Sequence, residues 1–117
     1  MIRDAVESDT PEIAEIYNYY IDHSVATFEE THVTAAEMWN RIEAIRDSDY
    51  PFHVYQSPDQ NVSGYAYAGQ WKNRSAYRYA AEVSIYLDPK SIGRGIGSKL
   101  YRELIRILDE KGIHSVM

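Results

Sequence analysis

Cysteine is absent from the 117 residues, which excludes disulfides, thiolate zinc sites and a cysteine nucleophile. Long apolar runs are missing too: nothing approaches the roughly 18–20 residues of a membrane span. The opening Met1-Ile2-Arg3-Asp4 lacks the charged-then-apolar plan of a signal peptide. These absences predict a cytoplasmic protein with no membrane partner. Histidine is sparse, and His23, His32, His53 and His114 stand without ligand spacing, so no metal is expected. Basic side chains are outnumbered 12 to 18, for a net charge of −6. Binding a nucleic-acid backbone needs clustered Lys and Arg, so no nucleic-acid partner is expected either.

What is present has globular proportions, 44% hydrophobic and 26% charged, in a length that suits one domain over residues 1–117. Repeats, linkers and low-complexity segments do not occur. The charge is uneven. Residues 1–50 hold 3 basic and 12 acidic side chains, whereas residues 90–117 hold 6 basic and 3 acidic. Lys90, Arg94, Lys99, Arg102, Arg106 and Lys111 either form a local cationic field suited to a small anion or decorate a solvated helix face.

Ile2–Val6 reads as a first strand, and Asp9-Thr10-Pro11 opens a helix whose Ile13, Ile16, Tyr17, Tyr20 and Ile21 form a buried stripe. Thr34 and Glu37 predict a capping box for a second helix, with Met38, Ile42 and Ile45 buried and an end by Asp47–Asp49. Phe52–Tyr55 and Val62–Ala68 are strands joined by the turn formers 57–61. In Tyr79–Leu87, Val83, Ile85 and Leu87 alternate with Glu82, Ser84 and Tyr86, which places the acid opposite the aliphatic face. A helix from about Gly97, with Leu100, Leu104, Ile107 and Leu108 inward, stops at Gly112, and residues 113–117 begin a last strand. The order β-α-α-β-β-β-α-β implies an α+β fold: a mixed, mostly antiparallel sheet flanked by helices, its last pair parallel.

Ile92-Gly93-Arg94-Gly95-Ile96-Gly97-Ser98 lies between a strand and an amphipathic helix. Glycines allow close backbone approach to a phosphate, which the first-turn N–H groups and helix dipole then hold. A P-loop needs Gly-Lys before Ser or Thr, and Lys99 instead follows Ser98. A dinucleotide fold needs Gly-x-Gly-x-x-Gly near the first strand, and here the spacing is Gly-x-Gly-x-Gly near the end of the chain. The segment resembles the acetyl-coenzyme A loop of the GCN5-related N-acetyltransferases (GNAT): Arg or Gln, two residues, Gly, one residue, Gly or Ala. Gly95-Ile96-Gly97 fits its second half, and Ile92 departs from its first position, removing a side-chain donor.

The flanking segments sharpen the resemblance. Ala68 to Tyr77, Ala81-Glu82-Val83-Ser84-Ile85-Tyr86-Leu87 and Gly97-Ser98-Lys99-Leu100-Tyr101 look like the phosphinothricin or L-amino acid N-acetyltransferase branch. Ile13 to Asn18 and Thr27-Phe28-Glu29 match its N-terminal part. The branch continues past residue 117, so the resemblance implies a C-terminally truncated domain, without the closing helix and strands or the usual general acid. It implies that Glu82 is the general base; a free carboxyl titrates near about 4.3, so burial beside Tyr65, Tyr67 and Tyr79 would be needed. Backbone groups of Ile85, Tyr86 and Leu87 are expected to pair with pantetheine, and residues Ile92, Gly93, Arg94, Gly95, Ile96, Gly97 and Ser98 to hold the pyrophosphate. Trp71, Lys72, Arg74 and Tyr77 are candidates for the acceptor's carboxylate or phosphinate, and Phe28 for its side chain.

The function this implies is acetyl-coenzyme A-dependent acetylation of the α-amino group of a small L-amino acid or analogue, of the phosphinothricin, methionine sulfoximine or methionine sulfone type, by direct attack. The alternative is an inactive remnant that binds coenzyme A or a partner chain without turnover. A homodimer is expected from a thinly protected sheet edge.

Overall fold

Alternating apolar residues build a single five-stranded sheet from β1 (Ile2–Asp4), β2 (Phe52–Gln56), β3 (Val62–Gln70), β4 (Ala80–Leu87) and β5 (Ser115–Val116). The computed structural model describes residues 1–23, 29–70, 80–113 and 115–116. Strand order follows the sequence; β1 to β4 pair antiparallel, and β5 lies parallel to β4. The expected order and the parallel last pair are both present. α1 (Thr10–His23) and α2 (Ala35–Asp47) pack on one face, where Ile13, Ile16, Met38 and Ile42 meet Phe52, Val54 and Tyr65. α3 (Ile96–Glu110) covers the other, setting Ile96, Leu100 and Leu104 against Ala66, Val83, Ile85 and Leu87.

Local signals explain the helix ends. The Thr34 hydroxyl accepts from the Glu37 N–H at 3.1 Å, the first half of the expected capping box, while the Glu37 carboxylate turns instead to Arg41 Nε at 3.4 Å. α3 starts one residue earlier than its spacing predicts, because Gly95 takes the left-handed conformation at its N-cap (φ 78°) and releases Ile96 into the first turn. β4's alternation sends Val83, Ile85 and Leu87 to α3 and Tyr86 to the α1 side, as expected.

β1 is tied to the turn that leads into α1 by a partly buried ion pair. Arg3 grips Asp9 through two bonds of 2.8 and 2.9 Å, and the Val6 N–H donates to the same carboxylate at 2.8 Å. Burial pushes the Asp9 carboxyl up, but the Arg3 and Val6 bonds together outweigh it and hold it below its ordinary value of 3.8. A depressed folded value means that the stability is fully present above the unfolded value and is lost as pH falls through the folded one. Urea unfolding should therefore find Asp9→Asn less stable than wild type at about pH 6, with the gap closing towards about pH 3. A gap that does not change with pH would assign Asp9 a purely packing role.

Candidate functional site

The Gly-rich turn between β4 and α3 is shaped for close approach. Gly93 (φ 88°) and Gly95 (φ 78°) both occupy the left-handed region, and a Cβ at either would meet open space. The first α3 bond in this turn runs from the Lys99 N–H to the Gly95 carbonyl at 3.2 Å, and Gly95 has no side chain to cap the end. The N–H groups of Ile96, Gly97 and Ser98 thus form the positive end of a 15-residue helix. Gly97 has a different role: a Cβ there would touch Leu87 Cδ1 at 3.5 Å, an ordinary contact. Ile92 is 60% exposed and brings no polar group to the turn.

Half of the basic C-terminal segment is unavailable or remote. Arg106 pairs with Glu103 and Glu110, and Lys111 Nζ lies 2.8 Å from Asp49. Lys99 Nζ lies over the Tyr55 ring, 5.9 Å from its centroid. Arg102 stays at the turn, its Nε 3.4 Å from the Ser98 carbonyl, beside a groove lined by Gly97, Ser98, Tyr101 and Arg102. Arg94 and Lys90 line a separate polar cleft with Glu12, Glu15 and Asp88.

β5 pairs with β4 only at Ala80 and Ala81. From Glu82 to Leu87, β4 is paired with β3 alone among the described residues. That leaves one edge of Ile85, Tyr86 and Leu87 open beside the Gly-rich turn, although the Leu87 carbonyl already accepts from the Tyr20 hydroxyl at 2.5 Å. Glu82 sits at the start of this open stretch. It is exposed, which corrects the burial expected beside Tyr65, Tyr67 and Tyr79. The register supplies the reason: Glu82 lies opposite Gly69, which has no side chain to cover it. Tyr67 is its diagonal neighbour on the same face and feels its charge.

On that face the tyrosines gather. Phe52 stacks on Tyr67 at 5.0 Å and on Tyr65 at 5.5 Å, and Tyr65 stacks on Tyr86 at 5.3 Å. At the edge of this cluster Arg41 of α2 holds Glu29 through bonds of 2.5 and 3.1 Å, and the Tyr17 hydroxyl of α1 donates to the same carboxylate. The Arg41 bond holds the Glu29 carboxyl below its ordinary value against the opposing effect of burial, while burial and Glu29 push the Tyr17 phenol up. Asn18 exchanges two bonds with the Val33 backbone, at 2.8 and 2.9 Å, so the segment entering α2 is fastened at both ends.

The structure thus places Glu82 at one end of the open β4 edge and the Gly-rich turn beyond the other. Phe28, Trp71, Lys72, Arg74 and Tyr77 lie outside the described residues, as does Tyr79. Tyr17, Glu29, Arg41 and Tyr65 were missed as site residues by sequence reasoning. Only Glu37 and Arg41, four apart on α2, carried a local signal. Among the described residues, no group of three His, Cys, Asp or Glu could hold a metal ion.

Comparison with known proteins supplies the remaining observations. The profile of the family described as "Acetyltransferase (GNAT) domain" matches residues 2–117. The chain is similar to phosphinothricin N-acetyltransferase of Streptomyces viridochromogenes, 34% identical over 116 residues, covering 99% of this chain and 62% of that protein. It is also similar to the L-methionine sulfoximine/L-methionine sulfone acetyltransferase of Pseudomonas paraeruginosa, 33% identical over 113 residues, covering 97% and 66%. A GNAT superfamily phosphinothricin acetyltransferase from Sinorhizobium meliloti, solved in complex with AcCoA, superposes with a TM-score of 0.88 at 43% identity, covering 94% of this chain and 60% of that one. The chain therefore spans 60–66% of the length of these relatives.

Proposed function

The chain belongs to the GNAT acetyltransferase family, and from that premise we propose that it acetylates the α-amino group of a small L-amino acid or analogue, with acetyl-coenzyme A as donor. The observation that carries this reading is the juxtaposition of a left-handed glycine pair, an uncapped α3 N-terminus and an open β4 edge with Glu82 at its head. Acetyl-coenzyme A, when bound, supplies an activated acetyl as a thioester. The open space at Gly93 and Gly95 fits its pyrophosphate, which the N–H groups from Arg94 to Ser98 would hold, with Arg102 adding charge. The open edge from Ile85 to Leu87 offers backbone groups to its amide-bearing arm in the manner of an added strand.

Glu82 takes the proton that the acceptor amine must lose, directly or through one water. The freed nitrogen lone pair forms the new C–N bond, the C–S bond breaks, and the sulfur leaves with the bond's electrons to be protonated from solvent. No covalent enzyme intermediate is needed. The proposed assembly is a homodimer in the cytoplasm. Its support is β1, an edge strand of three residues with Met1 and Val6 exposed beside it. Light scattering behind a sizing column should report twice the chain mass, and a stable monomer would contradict it.

Calorimetric titration of acetyl-coenzyme A, followed by an assay of free thiol released with methionine sulfone as acceptor, tests the activity. Binding with turnover is expected. Binding without turnover would reduce the protein to a coenzyme A-binding remnant, and absence of both would remove the acetyltransferase reading.

A further inference from the structure

Two backbone bonds fix which way the groups of β4 point. The Asp88 N–H donates to the Ser63 carbonyl at 2.9 Å, and the Ala68 N–H donates away from β4, to the Pro51 carbonyl at 3.2 Å. Bonded and non-bonded pairs alternate along an antiparallel ladder. Gly64, Ala66 and Ala68 therefore turn their N–H and C=O groups to the β2 side, and their partners Leu87, Ile85 and Val83 turn theirs to the open edge. The backbone groups of Tyr86, one position out of phase, face β3. A strand added to this edge would meet Val83, Ile85 and Leu87.

One of these outward groups is already taken. The Leu87 carbonyl accepts from the Tyr20 hydroxyl of α1 at 2.5 Å, whereas the other outward groups of Val83, Ile85 and Leu87 have no partner among the described residues. Two rings hold the Tyr20 ring in place, Tyr19 with its centroid at 5.2 Å and Tyr86 at 5.6 Å. Burial pushes the Tyr20 phenol up, so it stays protonated and a donor at neutral pH. Leu87 is also the last residue of β4, where the edge gives way to the segment leading to the Gly-rich turn. A ligand with amides along the edge and phosphates at the turn changes character here, because phosphate oxygens accept hydrogen bonds and have none to give a carbonyl.

Resting on the coenzyme A reading above, we infer that Tyr20 is a positioning residue of the cofactor site. Its hydroxyl satisfies the Leu87 carbonyl at the end of the edge, so the amide-bearing arm can cover β4 without burying an unpaired acceptor. The arm's amides are thereby directed to the groups that remain, at Val83, Ile85 and the Leu87 N–H. Without the phenol, water serves the carbonyl in the free protein and must be given up when the arm arrives, and a buried backbone acceptor left unpaired is costly. The competing role, a strut that only holds α1 on the sheet, would not distinguish a ligand with the arm from one without it.

Calorimetry of the whole chain with two probes tests this: coenzyme A, and adenosine 3′-phosphate 5′-diphosphate, which keeps the nucleotide and diphosphate but lacks the arm. Wild type is expected to bind both. Tyr20→Phe should weaken coenzyme A roughly 10-fold and leave the armless probe within about two-fold, and Tyr19→Phe should move neither by more than about two-fold. Retained binding of the armless probe also shows that the Tyr20 variant is folded. Equal weakening of both probes would make Tyr20 a strut, and unchanged or tighter coenzyme A binding would show that the carbonyl needs no partner or that the arm competes for it; each overturns the inference. A wild type that fails to bind either probe overturns it as well, and failure with coenzyme A removes the coenzyme A reading too. Thiol release from acetyl-coenzyme A with methionine sulfone is measured alongside. Absence of turnover with the Tyr20-dependent difference intact removes the transferase reading alone; turnover without that difference removes only the inference.

Discussion

Replacing Glu82 by Gln is expected to lower the rate of amine acetylation about 10²–10⁴-fold, the usual contribution of a positioned general base. Gln keeps the shape of the side chain but cannot take the proton. The exposure of Glu82 makes the comparison clean, since substitutions at exposed positions usually change stability by less than about 0.5 kcal/mol. Nor does Glu82 belong to the Gly-rich turn, so affinity for acetyl-coenzyme A should move less than about two-fold if the base acts only on the amine. Steady-state kinetics by thiol release, with a calorimetric titration of the same variant, separates the two effects. Undiminished turnover at neutral pH would assign the proton to another group or to bulk water.

The second large effect is expected at Gly95. At φ 78° it caps α3 from the left-handed region, where a β-branched side chain is a genuine outlier. Gly95→Val must therefore rotate the backbone and turn the N–H groups of Ile96 and Gly97 away from the position they share. Charge-assisted bonds to phosphate are each worth about 1.5–3 kcal/mol. Losing one of them should weaken acetyl-coenzyme A binding about 10- to 100-fold. Arg94→Ala should cost less, because Arg94 is exposed and solvent screens its charge. Gly97→Ala should be the mildest of the three, given the ordinary 3.5 Å contact its Cβ would make with Leu87. Wild-type affinity in Gly95→Val would sink the assignment of this turn.

The parts legible in the sequence are those that short-range periodicity carries. The stripe of Ile13 and Ile16, the Thr34 cap and the alternation of β4 each depend on residues a few positions apart, and each is found in place. The Gly-rich turn was legible for the same reason, except that the left-handed conformation of Gly95, and with it the start of α3 at Ile96, follows from a backbone angle that composition does not encode. The exposure of Glu82 depends on a strand register that sets it opposite Gly69. The grip of Tyr17 and Arg41 on Glu29 joins α1, α2 and the segment between them across 12 residues in each direction, and no local pattern announces it. The apparent cationic field was overcounted in part for the same reason: Lys111 finds Asp49 from 62 residues away. Arg106 was a different case, since its partners Glu103 and Glu110 stand at helical spacing and could have been read.

The most direct test is mass spectrometry of the acceptor itself. After incubation of the purified protein with acetyl-coenzyme A and methionine sulfone, the product should carry one acetyl group on its α-nitrogen, formed in step with free coenzyme A. Tandem fragmentation locates the group. An acceptor recovered unmodified, from protein that calorimetry shows to bind acetyl-coenzyme A, would contradict the account.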